Sequence, residues 1–350
     1  MKKIGTLAKK SIAMLDAMWH HVIHRNLANS ALRSVERQKG KTNRKLLKLA
    51  GEYAYEVLGS KVYAPWLYVY TAVKGSFEEG WIPDNYYRQI IVPKLQGEYG
   101  KLSLTKLHSN SYFKTYRFPD LAYFVNGQWL SKDLQVFKIG ELENVIFSEG
   151  DRVVFKRDQS FQGKGVHLIK KESFTIEEIG QLGNGVVQKY IGQHPFFNDF
   201  GTWTTATIRL TTVVSLDSQA SCRTAYLRIG RLGETHVQSR SQVKVGIDIN
   251  SGELAEYGHL SDWRSITGHP DTRIAFTNKT IPHFNEAMTL CKELHAKVPY
   301  IGSIGWDVAI DGDGEAHILE WNGYHNDIKY SEATQGPCFA DLGWEDLWRT

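Results

Sequence analysis

Apolar residues recur at helical spacing early in the chain, at Leu7, Ile12, Leu15, Met18, Val22, Leu27 and Leu32. This predicts an amphipathic helix over 5–35. A second helix is predicted over 44–58, and the aromatic-rich segment 63–73 reads as less regular. Residues 81–94, bounded by Pro83 and Pro93, read as a short helix or turn leading into a new domain. From about residue 120 the texture changes to short β-rich runs between Gly, Asp and Asn turns: 121–125, 144–148, 153–157, 166–169, 185–191, 207–214 and 225–230. Thr175-Ile-Glu-Glu178 fits a capping box that opens a short helix ending near Gly183. A longer helix is predicted over 281–296. The pattern is α+β with antiparallel pairs, divided as 1–100, 101–190 and 191–350.

The most telling stretch is 304–322, where two alternating apolar runs flank an Asp-Gly pair. Asp-Gly between such runs is a strong hairpin signal. With Asp313-Gly314 as a two-residue turn, the register carried outward sets Asp307 opposite Glu320. Asn322 then shares a face with Glu320. Opposed side chains on an antiparallel pair have Cβ atoms roughly 4.5–5.5 Å apart, and like charges there repel. Two carboxylates and an amide oxygen make sense around a hard cation. Mg²⁺ takes oxygen ligands and leaves further positions to water or phosphate. The competing reading is a solvated hairpin face with two badly placed acids.

Composition narrows the classes. With 350 residues, 42% hydrophobic and 23% charged, the chain is globular and has room for two or three lobes. No apolar run approaches the roughly 20 residues of a membrane span. The basic start lacks a continuous apolar core and a cleavage site, so a cytoplasmic protein is expected. Cys222, Cys291 and Cys338 match neither a disulfide framework nor a zinc spacing. The net charge of +4 hides an asymmetry: residues 1–50 carry twelve Lys/Arg against two Asp/Glu. Such an end suits a membrane face or another polyanion, or is simply a solvated helix face. No nucleic-acid module accompanies it. His20 and His24 sit at i, i+4, but without the Glu of a zinc-protease helix they read as solvent- or membrane-facing surface residues. The chain has no Gly-x-Ser-x-Gly elbow, which leaves a serine hydrolase without support.

A phosphate side accompanies the acids. The run 153–157 ends in Lys156 and Arg157, and the loop 158–165 with Gly163 and Gly165 leads into a second run. This strand–loop–strand is not a P-loop, yet its backbone N–H groups can cover phosphates and Lys156 adds a point charge. The strand 185–191 can offer an adenine edge its backbone and Gln188. Arg209 lies in an apolar run, where Arg needs a partner: a phosphate or a structural carboxylate.

In this order the parts resemble the ATP-grasp superfamily, and within it the sugar-transfer-associated ATP-grasp family. The resemblance rests on Gly80-Trp-Ile-Pro-Asp84, Gln193-His-Pro195, Thr207-Ile-Arg209, His269-Pro-Asp-Thr272, Gly305-Trp-Asp307 and Glu320-Trp-Asn322, with Gln335 following. It spans about residues 75–340 and implies two α+β lobes gripping ATP, preceded by a basic helical region. It further implies Mg²⁺ on Asp307, Glu320 and Asn322, and phosphate neutralisation by Lys156 and Arg209. A lid with Ser160, Gly163, Lys164 and Gly165 would close over them. Gln188, Lys189 and Ile191 would line the adenine pocket, and Asn198 or His194 would reach the ribose. A further nucleotide lysine would be Lys106 or Lys114. Where relatives carry an Asp-Asn and Gly-Gly stretch, this chain has 237–243 with Arg240, followed by Lys244, which suggests an anionic substrate.

The activity so implied is an ATP- and Mg-dependent carboxylate–amine ligase acting through an acylphosphate. Its substrate would be a sugar acid or amino acid of a surface glycan or secondary metabolite. The alternatives are a small-molecule kinase on the same fold, and a non-catalytic membrane- or polyanion-binding protein.

Overall fold

The computed structural model describes residues 2–160, 163–215, 219–324 and 326–349, the side chains of 2–14, 16, 17 and 139 excepted. Leu7 and Ile12 of the predicted stripe, and Phe161 and Gln162 of the glycine loop, lie outside what is described. The chain forms two compact units. One holds Met1–Leu95, Asp262–Ser265 and Asp327–Thr350; the other holds Gln96–Ser261 and Ile266–Asn326.

The first unit is helical. It is built on α1 (Lys2–Lys39), α2 (Arg44–Glu56) and α3 (Ala64–Lys74). The α2 helix starts at Asn43, whose side chain accepts from the Lys45 N–H. The segment 63–73, expected to be irregular, is α3. Its Trp, Tyr, Val and Thr residues are middling helix formers, but Pro65 opens it and Gly75 at φ 84° closes it. A helix apolar all round is stable once surrounded. Packing against α1, α2 and the helix Lys329–Gln335 supplies that.

The inner face of α1 is not its apolar stripe. His24, Ala28, Ala31 and Val35 are buried, and His24 Nδ1 accepts from the Trp66 indole at 3.0 Å. Small alanines let α1 approach α3 closely. The His20 ring lies 4.1 Å from that of His24. The surface reading of these histidines is therefore corrected: they serve helix packing.

The second unit holds two antiparallel sheets. The smaller has the order β2-β1-β5-β3-β4. Its strands are β1 (Asp120–Val125), β2 (Gln128–Ser131), β3 (Arg152–Arg157), β4 (Val166–Lys170) and β5 (Gly185–Lys189). Ala122, Val153, Phe155 and Val187 of one face pack with Leu142, Ile146 and Ile179 of two helices, Ile139–Ile146 and Ile176–Leu182. The first helix overturns the strand expected at 144–148. Leu142 and Ile146 are spaced i, i+4, and the β-branched run Val145-Ile146 obscured that period. The second helix is capped by Thr175, which accepts from the Glu178 N–H, and it ends at Gly183.

The larger sheet runs β10-β9-β8-β7-β6-β11-β12. Its strands are β6 (Thr207–Val214), β7 (Ala220–Ile229), β8 (Val243–Ile247), β9 (Leu254–His259), β10 (Ser265–Ile266), β11 (Ser303–Ile310) and β12 (Ala316–Asn322). Ile208, Leu210, Leu227, Val245, Ile304, Trp306 and Val308 form one face, closed by the helix Phe284–Ala296. That helix starts three residues later than expected, because Pro282 precedes His283 at φ 54°. The opposite face carries Arg209, Arg228, Lys244 and Asp307.

Candidate active site

Asp307 lies between Glu320 on β12 and Arg209 on β6, each its direct cross-strand partner. The turn that leads there is not the expected one. Asp311 exchanges backbone hydrogen bonds with Glu315 and Gly314, so the loop spans 312–314 with Gly314 at φ 86°. The Asp311 carboxylate caps it by accepting from the Asp313 and Glu315 N–H groups at 3.0 and 2.9 Å. This shifts the first pairs by one residue, and Ile310 faces Ala316. A bulge between Ile318 and Glu320 shifts the register back and brings Asp307 opposite Glu320.

The bulge has a purpose visible in its bonds. The Leu319 carbonyl accepts from Lys156 Nζ at 3.1 Å and from Gln188 Nε2 at 3.4 Å. Lys106 Nζ pairs with Glu320 Oε1 at 3.0 Å. Lys106 is thus the one brought to the acids; Lys114 is exposed and caps the helix Ser109–Phe113 in a left-handed conformation. β3 and β5 of the small sheet therefore abut the β11–β12 hairpin.

Asp307 is held by two arginines. Arg209 approaches it from Nε to Oδ1 at 2.7 Å and from Nη2 to Oδ2 at 3.1 Å. Arg228 Nη1 lies 3.0 Å from both oxygens, while its Nε donates to Gln242 at 2.8 Å. Burial alone would raise the Asp307 carboxyl; the Arg209 and Arg228 charges outweigh it and hold it well below the usual range. Burial pushes Lys156 down to about 8, against the pull of Glu320. Positive charge is in excess where Lys106, Lys156, Arg209 and Arg228 meet Asp307 and Glu320.

Gly305 of the Gly-Trp-Asp run has a steric reason. A Cβ there would collide with the Asn326 amide, which donates to Thr211 at 3.1 Å and accepts from Arg209 at 3.4 Å. Trp306 points to the opposite face, where its indole donates to Thr212 at 2.8 Å.

On the small sheet, Gln188 pairs with Asp120 across β5 and β1, and its Nε2 donates to Asp120 Oδ1 at 2.7 Å. Tyr123 and Asn110 donate to the other Asp120 oxygen. Burial raises the Asp120 carboxyl, against those hydrogen bonds. Gln188 Oε1 is buried and finds no hydrogen-bond partner among the described residues. Ser103, Lys106, Ser109, Asp120, Gln188 and Glu320 border a small cavity here.

Other expected residues sit further out. In the lid loop Ser160 Oγ donates to the Arg157 carbonyl at 2.7 Å and packs over Gly165. Gly163, at φ 81°, lies against His236. Lys164 is exposed. Lys189 pairs with Glu149 at 2.6 Å, and buried Ile191 offers its carbonyl to Thr205. His194 caps the turn Pro195–Asn198 by accepting from the Phe196 N–H, and Asn198 accepts from Gln193. Both are tied up at the turn end of β11, where the His194 N–H meets the Ile310 carbonyl. Lys244 lies opposite Arg228 and 5.6 Å over the Tyr226 ring, on the cationic face. Arg240 is exposed and bonds Gln238.

Two residues escaped the sequence reading. Arg228 sits in an alternating apolar run, the same signal that singled out Arg209. Asp120 opens an apolar strand, and only the fold shows that it is buried.

The sugar-transfer associated ATP-grasp family matches residues 117–337, which is more than half of the chain. The chain belongs to this family. No curated protein matches it. Among solved structures, this ATP-grasp chain is similar to the Campylobacter jejuni biotin carboxylase–βγ-ATP complex, with 11% identity, 91% of this chain and 68% of that one covered, and a TM-score of 0.47. It is also similar to the Staphylococcus aureus N5-carboxyaminoimidazole synthetase complexed with ADP, at 14%, 70%, 52% and 0.43 in the same order. The biotin carboxylase domain of Hydrogenobacter thermophilus 2-oxoglutarate carboxylase, in complex with MgADP, ADP and bicarbonate, gives 12%, 65%, 41% and 0.39. The chain spans about half or less of the last two, 52% and 41%.

The donor types fit Mg²⁺ shared with phosphate, with Asp307 exchanging arginine contacts and Glu320 its Lys106 contact for the cation. Among the described residues no three of His, Cys, Asp and Glu come together as a metal cage. Two carboxylates and the Asn322 amide share one face, and Mg²⁺ binds through one or two carboxylates plus substrate phosphate oxygens. Asn322 donates through Nδ2 to the Gly305 carbonyl at 3.3 Å, leaving its oxygen for such a role.

Proposed function

We propose that the chain is an ATP- and Mg-dependent carboxylate–amine ligase working through an acylphosphate. The observation that carries this is the convergence of Lys106, Lys156, Arg209 and Arg228 on Asp307 and Glu320, an excess of positive charge that suits a polyphosphate and a carboxylate together. In this reading the five-stranded segment, 101–190, is the lid and 191–350 the metal-binding lobe, with 1–100 a basic helical region that precedes them in sequence. Asp307, Glu320 and Asn322 hold Mg²⁺, which when bound neutralises charge on the ATP phosphates.

Lys156 and Lys106 hold phosphate oxygens, and Gln188 Oε1, a buried acceptor without a partner among the described residues, suits the amino group of adenine. Lys189 and Ile191 contribute backbone to the same edge. Arg228 and Lys244, side by side on β7 and β8, suit an anionic acceptor. A substrate carboxylate oxygen attacks the γ-phosphorus and ADP leaves. An amine then attacks the acyl carbon, phosphate leaves, and the amine proton passes to solvent. Catalysis is positioning and charge neutralisation. His194, Asn198, Lys164 and Arg240 would join only through movement of the loops that carry them.

The test combines candidate sugar acids and amino acids with ATP, Mg²⁺ and hydroxylamine. Acid-dependent hydroxamate with ADP supports the ligase. A stable phosphorylated product without hydroxamate would replace it with a kinase. Release of AMP would rule out both.

A further inference from the structure

The outer face of α1 is apolar and exposed. Leu15, Met18, Trp19, Val22, Ile23 and Leu27 are 64, 56, 68, 37, 41 and 52% accessible. At 3.6 residues per turn they fall on one half of the helix, opposite His24, Ala28, Ala31 and Val35, which pack on α3. A contiguous apolar patch of this kind marks an interaction surface. Its chemistry narrows the partner. Exposed Arg25, Arg33 and Arg37 border or continue the stripe, and the same helix carries four lysines within residues 2–10. A second copy of the chain, stripe against stripe, would set these cations against one another. Apolar residues with an exposed Trp, flanked by Lys and Arg, match a helix that lies in the headgroup boundary of an anionic bilayer. No helix among the described residues is long and apolar enough to cross a membrane.

We propose that α1 docks the protein on an anionic lipid surface, its stripe entering the acyl boundary and Arg25, Arg33 and Arg37 facing the headgroup phosphates. The docking is independent of the ligase reading, because it uses no residue of the nucleotide site. The test sediments the full chain with phosphatidylcholine vesicles with and without phosphatidylserine, and compares a Trp19→Glu/Val22→Glu variant. Both positions are exposed, so the variant keeps the wild-type melting temperature and ADP binding. The chain binds the anionic vesicles and not the neutral ones, added salt weakens binding, and the variant loses on the order of tenfold or more in affinity. Equal binding by the variant, or no binding to anionic vesicles, overturns the proposal. So does concentration-dependent dimerisation that the variant abolishes, which would give the stripe to a second copy.

Discussion

Arg209 and Asp307 form a two-pronged ion pair across β6 and β11, and Arg228 closes on the same carboxylate from β7. The Asp307 side chain is only 10% accessible, whereas Glu320 is 34% accessible. The two acids therefore differ as probes. Asp307→Asn strands two buried guanidinium groups and should cost about 3–5 kcal/mol of stability, the usual penalty for breaking a buried pair. Glu320→Gln breaks a partly exposed pair with Lys106 and should cost about 1 kcal/mol or less. Both should abolish Mg-dependent turnover. Denaturant midpoints and ADP release, measured together, check this. A Glu320→Gln enzyme with near-normal turnover would remove Glu320 from the metal site.

Lys156 gives a pH signature. Its ammonium is the form that holds phosphate, and burial brings its pKa down to about 8. Nucleotide affinity should be level below that value and fall as pH rises through it, by up to about tenfold per unit for one proton. Lys156→Arg keeps its charge at all accessible pH values and should remove the break. Calorimetric titration with ADP across this window decides. An identical break in both proteins would assign it to another group.

Much of this site is legible locally and some of it is not. Alternation and Asp-Gly chemistry in 304–322 place Asp307 opposite Glu320. The true route, a longer turn and then a bulge, rests on the Asp311 side-chain cap and on Lys156 reaching the Leu319 carbonyl. The second of these lies far away in sequence. Arg228 obeys the rule that marked Arg209, so it was readable. Asp120 was not, since burial of a strand's first residue depends on what packs over it. The α3 helix shows the same limit: its caps are local, but its stability comes from neighbours on every side. The exposed stripe of α1 inverts the usual inference, because apolar periodicity names a face without naming what covers it.

Behind the site, a polar chain fixes β6 and β11 to the helix Phe284–Ala296. The Trp306 indole donates to Thr212, whose hydroxyl meets His295 Nδ1 at 2.6 Å, and His295 Nε2 donates to the Ile301 carbonyl. Burial lowers the His295 pKa from 6.5 to about 4. The native ring stays neutral where the unfolded ring takes a proton. Stability from this group is thus full above 6.5 and is lost as pH falls toward 4, at no more than about 1.4 kcal/mol per unit. His295→Gln should lower stability at neutral pH and flatten part of the acid slope. Denaturant unfolding on both sides of the window tests it, and equal slopes would dismiss His295 as a contributor.

Gln188 tests the nucleotide pocket from the base side. Its Nε2 is committed to Asp120, so its orientation is fixed, and its Oε1 is left buried without a partner among the described residues. An unpaired buried acceptor costs about 1–3 kcal/mol, which a ligand N–H can recover on binding. Gln188→Met fills similar volume and removes both roles. It should weaken ADP binding by roughly tenfold, the equivalent of about 1.4 kcal/mol. Discrimination against GDP should shrink as well, because a guanine carbonyl facing Oε1 repels it and facing a thioether does not. Asp120→Asn offers a control: it keeps the volume and an acceptor for Gln188, and it should preserve the preference for adenine. Loss of affinity without any change in the ADP-to-GDP ratio would mean that Gln188 supports the strand rather than reads the base.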